Sequence, residues 1–384
     1  MQHGSSLEME TLCDSVHRAM RQILTQDYLQ HIDRDGVYPE QAYQAWIALG
    51  LTGLGVPAEY GGSGGSIADL ASVSEALAYW SYDVSTAYTV PMFCAQTLLV
   101  SGTEAQKQAF LPKLVQGTLR MSVCISEAEA GSDVSAIATR AIRQNDEWVL
   151  DGQKLWATGA GAPDNLILVY ARTADGVPAK QGLSVFMVEN SRPGVTCRKL
   201  DMLGRRATGS FEVTFDQVRL PTERLLGALH GGWDCLLAGL EAERVLTSAG
   251  YVGSSQRVVD LACEHARDRR QFGRPIGTNQ AISHMLADMQ TDVEAARLLA
   301  RQAAQRVADG YDSLREVSMA KLFGSEAYVR VANQGMQVMG AMGYSMAHEM
   351  QRHFRDSRST TIGAGSSQMQ RNTIAATMGL SSRV

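Results

Sequence analysis

Several features are missing from this chain, and each absence excludes something. No run of about 18 apolar residues occurs, so no segment reads as a membrane-spanning helix. The six cysteines (Cys13, Cys94, Cys124, Cys197, Cys235 and Cys263) include no C-x-x-C pair. A disulfide framework or structural zinc is therefore not expected, and a reducing, cytoplasmic setting fits. The histidines, His348 and His353 included, show no H-E-x-x-H or comparable spacing, so no metal site is read. Neither sign of charge accumulates: 35 Lys and Arg against 40 Asp and Glu leave a net charge of −5, with the basic residues scattered. That excludes a basic nucleic-acid face. Glu8 and Glu10 stand where a signal peptide would carry its apolar core, so none is expected. What remains is a globular composition, 45% hydrophobic and 20% charged, over 384 residues. A chain of that length exceeds one ordinary core, and two or three domains are expected.

Hydrophobic spacing divides the chain in three. Over 1–120 the period is helical. An amphipathic helix is expected over 7–31, with Val16, Met20, Ile23 and Leu24 on one stripe. Pro39 suits the first turn of a second helix, which carries Trp46 and ends near Gly50. Ser66 caps a third, and Thr103 with Gln106 forms a capping box for the helix ending near Gly117. Between them a helix to about Val100 is expected to be interrupted by Pro91. The Gly53-Leu54-Gly55 run is not a dinucleotide loop, because Pro57 interrupts it and no strand leads in. Over 121–228 the runs become short and strand-like: Leu166–Ala171, Leu183–Val188, and the alternation of Phe211, Val213 and Phe215. They read as a small antiparallel sheet or barrel. Over 229–384 long helices return, at about 233–266, 279–309, 312–341 and 367–379, the pattern of an antiparallel bundle.

One stretch concentrates polar chemistry. After a strand-like MSVCI comes a loop of hydroxyls, carboxylates and glycine, Ser126 to Asp133. A hairpin with an Asp151-Gly152 turn then delivers Trp156 and Thr158, two residues apart and so on one strand face. An aromatic plate beside a hydroxyl suits a flat heteroaromatic ligand with a ring nitrogen; a polar loop with a packing tryptophan is the alternative.

These segments resemble the flavin-facing loops of the acyl-CoA dehydrogenase family. The family's T-E-P-G-A-G-S-D corresponds to Ser126-Glu127-Ala128-Glu129-Ala130-Gly131-Ser132-Asp133, and its K-x-W-x-T is intact as Lys154, Trp156 and Thr158. The likeness covers nearly the whole chain. It implies an α+β protein with an N-terminal all-α domain, a middle β domain and a C-terminal four-helix bundle. It implies FAD held by Ser126, Trp156 and Thr158, with Ser132 near the thioester tail. The family's R-x-x-F-G, which reaches the FAD of a neighbouring subunit, corresponds to Arg269, Gln271, Phe272 and Gln280 here. By residues alone that run reads sooner as a solvated basic turn. The family's Q-x-x-G-G-x-G-[FY] corresponds to Gln337 to Tyr344, with Ala341 replacing the second glycine. Read without the family, it is a close-packed helix end.

The main departure lies in the family's Y-E-G-T-S-Q-I-Q, whose glutamate is the catalytic base. Here the residues are Gly363-Ala364-Gly365-Ser366-Ser367-Gln368-Met369-Gln370, and Ala364 cannot take a proton. A replacement stands at Glu243, seven residues after Leu236 and three after Leu240, on an apolar helical stripe. Desolvation there should raise its pKa. A structural ion pair is the other reading of that carboxylate. Glu241, off the stripe, reads as a solvated acid. One branch of the family takes its base from this helix just before an arginine, here Arg244. The resemblance further implies that the Ala364 N–H holds the thioester carbonyl and that Ser366 and Gln368 contact FAD. The implied activity is α,β-dehydrogenation of an acyl-CoA or acyl-carrier-protein thioester. Electrons would leave to an electron-transferring flavoprotein from a homodimer or homotetramer. An enoyl reductase, a base-independent flavin oxygenase and a non-catalytic flavin-binding paralogue are the alternatives.

Overall fold

The computed structural model describes residues 3–380. The N-terminal part is all-helical: α1 (His3–Ile23), α2 (Gln26–Asp35), α3 (Glu40–Ala48), α4 (Ile67–Trp80), α5 (Tyr82–Ser101) and α6 (Glu104–Val115). The helix expected over 7–31 is two helices. Thr25 takes an extended conformation and its side chain accepts from Tyr28 N, capping α2 and ending the first run. The Ser66 cap and the Thr103–Gln106 box are both present. Pro91 does not interrupt α5. The segment is buried from Tyr82 to Ala95, and that packing outweighs the roughly 3 kcal/mol a helical proline costs.

The middle part is one eight-stranded sheet. Its strands are β1 (Arg120–Cys124), β2 (Arg140–Gln144), β3 (Glu147–Thr158), β4 (Asn165–Arg172), β5 (Leu183–Glu189), β6 (Val195–Lys199), β7 (Ser210–Pro221) and β8 (Leu225–Leu226). The order is β6-β7-β3-β2-β4-β5-β8, with β1 parallel to β4, so the sheet is mixed rather than antiparallel. Asp151-Gly152 is not a hairpin turn. The turn is Asn145-Asp146, because Gln144 pairs with Glu147. Gly152 sits mid-strand at a register shift against β7, with φ +144°. Glycine is needed there because a Cβ would lie 2.7 Å from the Thr139 Cα. Two-residue alternation also fails at Trp156, where a second register shift and φ +64° swing the indole outward.

The C-terminal part opens on the 37-residue α7 (Gly232–Asp268). A small hairpin of β9 (Arg270–Gln271) and β10 (Arg274–Pro275) leads to α8 (Gln280–Ala308) and α9 (Leu314–Met339). Then come α10 (Ala341–Tyr344), α11 (Met350–Thr360) and α12 (Ser367–Thr377). Helix α7 packs on α8 and α9 within the bundle and on α4 and α5 outside it. Helix α11 was not visible in the sequence. Its inward face carries Arg352, His353, Asp356 and Ser357 rather than an apolar stripe. These make polar ties instead: His353 Nδ1 meets the Tyr328 hydroxyl at 3.0 Å, and next to them Arg355 pairs with Asp33 of α2 at 2.5 Å.

Gly152→Ala is expected to lower the thermal midpoint by a few degrees, since it adds a backbone clash at a φ that alanine avoids. Differential scanning calorimetry checks it; an unchanged midpoint would mean that β3 relaxes around the bulge.

Candidate active site

Two segments that are distant in sequence are joined by one buried ion pair. Lys154, fully buried on β3, donates to Glu127 Oε1 at 2.7 Å and to the Ile125 carbonyl at 2.9 Å. Glu127 also accepts from the backbone N–H of Ala138 and Thr139 at 2.7 and 3.0 Å. Burial alone would raise the Glu127 pKa, but Lys154 and these donors outweigh it and hold the carboxyl below its usual range. The Ser126 carbonyl accepts from Leu155 N at 2.9 Å. The loop is thereby fixed beside the end of β3. There Trp156 is 54% exposed, an open aromatic plate next to Thr158. Ser132 lies exposed on the outer part of the loop.

Thr158 has a partner that the sequence did not single out. Arg205 Nη2 donates to its hydroxyl at 2.9 Å, while the Arg205 Nε is buried without a partner among the described residues. Arg205 holds φ +56° because its N–H donates to Asp356 Oδ1 at 2.6 Å. Asp83 of α5 accepts from the Ala207 and Thr208 amides at 2.7 and 3.1 Å. Both carboxyls are pushed above their usual range by burial, with the backbone donors opposing. The exposed indole, the Thr158 hydroxyl and the unsatisfied guanidinium beside it fit a planar, hydrogen-bonding cofactor.

Glu243 faces a small, mainly apolar pocket between α5, β1, β4 and α7, walled by side chains such as Phe93, Leu168, Leu236 and Leu240. Burial raises its pKa against the opposing charges of Arg244, Lys321 and Arg205. Burial and the Arg244 charge in turn push the Lys321 ammonium down to about 8. The 363–366 loop is pinned beside Glu243 from three helices. Arg244 Nε donates to the Ala364 carbonyl at 3.2 Å and Lys321 Nζ to the Gly365 carbonyl at 2.7 Å. Gln370 Nε2 donates to both, at 3.2 and 3.0 Å. The Ala364 N–H has no partner among the described residues. Ser366 is the N-cap of α12, its side chain accepting from Met369 N at 3.3 Å. Lys321 and Gln370 were missed, being ordinary residues until the fold turns them onto this loop. Glu241 is not a solvated acid: it is half-buried and accepts from the Ser313 hydroxyl at 2.8 Å.

The other candidates lie elsewhere. Arg269 follows Glu243 by 26 residues on and just past α7, about 40 Å at 1.5 Å per residue. It leads into the β9–β10 hairpin, whose Phe272-Gly273 turn takes positive φ at both positions. Phe272 is 101% exposed, and Arg269, Gln271 and Gln280 are also exposed. Gln337, Ala341 and Gln368 are exposed on α9, α10 and α12. No described contact joins Arg269, Gln271, Phe272, Gln280, Gln337 or Ala341 to Glu243, whereas Gln368 lies between Ser366 and Gln370, next to the Ala364 loop.

Lys154→Met is expected to destabilise the protein by about 3–5 kcal/mol, because Glu127 is left buried without its cation. Limited proteolysis within 125–139 and a denaturation curve would register it, and adding Glu127→Gln should recover part of the loss.

Comparison with known proteins gives a consistent result. The family descriptions "Acyl-CoA dehydrogenase, N-terminal domain", "middle domain" and "C-terminal domain" match residues 6–118, 122–218 and 230–379. The chain is 35% identical over 351 residues to a probable acyl-CoA dehydrogenase, YngJ, of Bacillus subtilis (strain 168), covering 91% of this chain and 92% of that one. It superposes on butyryl-CoA dehydrogenase from Megasphaera elsdenii with a TM-score of 0.92 at 29% identity, covering 96% and 97% of the two chains. The prolyl acyl carrier protein oxidase AnaB gives a TM-score of 0.92 at 29% identity, with 97% and 99% covered.

Proposed function

Because this chain belongs to the acyl-CoA dehydrogenase family, we propose that it dehydrogenates an acyl thioester at the α,β bond with Glu243 as the base. The carrying observation is a carboxylate with a raised pKa on the wall of an apolar cavity, beside a loop whose own residue at the family's usual position is Ala364. An α-proton of a thioester is weakly acidic, so it needs a placed base and stabilisation of the developing enolate oxygen. Glu243 takes the proton. The free Ala364 N–H, oriented because three side chains hold the loop's carbonyls, donates to the thioester oxygen. Arg244 and Lys321 keep positive charge beside the carboxylate and favour its ionised, basic form. FAD is the enzyme's cofactor and, when bound, supplies the acceptor for the hydride lost from the β-carbon. Trp156 and Thr158 would hold its ring, with Ser126 at its edge; Arg205 fixes the Thr158 hydroxyl by donating to it.

The second group, Arg269, Gln271, Phe272, Gln280, Gln337 and Ala341, is proposed to complete the FAD site of another copy, while Gln368, between Ser366 and Gln370, is proposed to contact FAD from beside the Ala364 loop. An exposed phenylalanine at the tip of a basic hairpin, about 40 Å from Glu243 in its own chain, supports that reading. A homodimer or homotetramer follows from it. An electron-transferring flavoprotein is the proposed acceptor. A carrier-protein thioester is the second substrate reading, favoured by the likeness to AnaB. Among the described residues no helix is long and apolar enough to cross a membrane; the cytoplasm remains the proposed location.

Glu243→Gln should retain FAD and fold while flavin bleaching by the preferred acyl thioester slows by about 10²–10⁴-fold or more. Glu241→Gln keeps its bond to Ser313 and serves as the control. In the parent enzyme the bleaching rate should rise with pH through an inflection above the ordinary carboxylate value of 4.5, since the raised pKa must be passed before the base is free. Near-parental bleaching in Glu243→Gln refutes the assignment.

Arg269→Ala with Phe272→Ala should loosen the assembly and its FAD together. Light scattering alongside the 450 nm absorbance tests this; full FAD content in a monomer would sink the shared-site reading.

A further inference from the structure

The cavity against Glu243 is hydrocarbon-walled except along one strip. Tyr170 of β4 is 2% exposed, lines the cavity, and its hydroxyl makes no hydrogen bond to any described residue. Its oxygen is not among the fully enclosed unpaired polar atoms, so it keeps access to the pocket, where it is open to a partner. Thr97 of α5 donates its own proton to the Phe93 carbonyl at 3.0 Å, which leaves its oxygen free to accept. The two hydroxyls converge on Gly239 of α7. A Cβ there would stand 3.1 Å from Thr97 Oγ1 and 3.9 Å from the Tyr170 oxygen. Gly239 precedes Glu243 by four residues, so both lie on one face of α7, about 6 Å apart along the axis. Helical side chains lean toward the N-terminus, which brings the Glu243 carboxylate over this same turn. Burial, then Cys235, Cys94 and Glu243, hold the Tyr170 phenol well above its ordinary range, so it remains a donor. A donor and an acceptor therefore face a small, mainly apolar pocket a few atoms from the base.

We propose that Tyr170 and Thr97 form a specificity site for acyl groups carrying a hydrogen-bonding substituent near the reacting carbons. The preferred substrates are then short, polar acyl thioesters bearing a hydroxyl, carbonyl or ring nitrogen, rather than plain alkyl ones. This rests on the dehydrogenase reading with Glu243 as base. The substituent pairs with the Tyr170 hydroxyl, and a donating substituent also finds the Thr97 oxygen. An alkyl chain of equal length leaves both unsatisfied, which is how a polar pocket rejects an apolar isostere.

The test uses FAD-loaded E243Q enzyme, whose slowed turnover lets thioester binding be read by itself. Calorimetry measures the affinity of the pantetheine thioesters of pentanoate and 4-hydroxypentanoate, pantetheine being common to coenzyme A and carrier proteins. The hydroxyl-bearing thioester is expected to bind about tenfold more tightly, the worth of one or two neutral hydrogen bonds. Adding Y170F should bring the ratio close to one while leaving pentanoyl affinity nearly unchanged. No preference in the parent, or a preference that survives Y170F, overturns the proposal. An equal loss for both thioesters assigns the hydroxyl to the pantetheine arm and also overturns it. Should Y170F not fold, T97V decides: the ratio must fall by at least about threefold, and an unchanged ratio refutes the site. Flavin bleaching by the same thioesters in the unmutated enzyme judges the dehydrogenase reading separately. Absence of bleaching sinks that reading, while the binding ratios still decide this one.

Discussion

The buried pair of Lys154 and Glu127 is the constraint on which the cofactor side of the site depends. Neither charge would be tolerated there alone. Together they tie the centre of a loop that also anchors in the core through Ala130 and Ile137. Glu127 gathers Lys154 and the amides of Ala138 and Thr139, so both ends of the 125–139 loop close on one carboxylate. Lys154 in turn lies two residues before the outward-turned Trp156. The tryptophan keeps an unusual backbone conformation because the strand before it is anchored at Lys154 and the strand beside it, β7, resumes register at Ala157.

The opposite wall is organised by α7. Its N-terminal half carries Glu243 and Arg244 against the β domain, and its C-terminal end delivers Arg269 to a hairpin far away. A single rigid helix thus separates the two candidate groups by a distance that no side chain spans. The geometry is economical if the hairpin serves a second copy. The loop around Ala364 shows the same logic on a smaller scale. The side chain of the usual base is gone, yet Arg244, Lys321 and Gln370 hold the backbone where the N–H is useful. Gly363, which leaves the chain free in the sequence, is followed by two carbonyls that are not free at all.

Much of the fold was legible. The change from helical to strand period and back, the caps at Ser66 and Thr103, and the apolar runs of β4 and β5 are all local signals. Of the site, Trp156, Thr158 and Glu243 were legible for different reasons. The first two come from a motif, and the third from a carboxylate placed on an apolar stripe. Arg205, Asp83, Asp356, Lys321 and Tyr170 were not singled out as site residues, because each belongs to an element whose local pattern is unremarkable. Helix α11 hid for the converse reason: its buried face is polar, so its inward stripe does not read as one.

The sequence by itself determined the helical and strand-like regions, the family likeness, and an alanine at 364 together with a glutamate on an apolar helical stripe, since these follow from residue type and spacing alone. Only the tertiary structure decided that Gly152 is a bulge and not a turn, that Glu241 bonds to Ser313, and that a lysine from α9 and an arginine from the β domain share the neighbourhood of Glu243. The physical reason is range. Caps and periodicity act over a few residues, whereas a buried charge or hydroxyl is governed by whatever the fold packs within a few ångströms, from any distance along the chain.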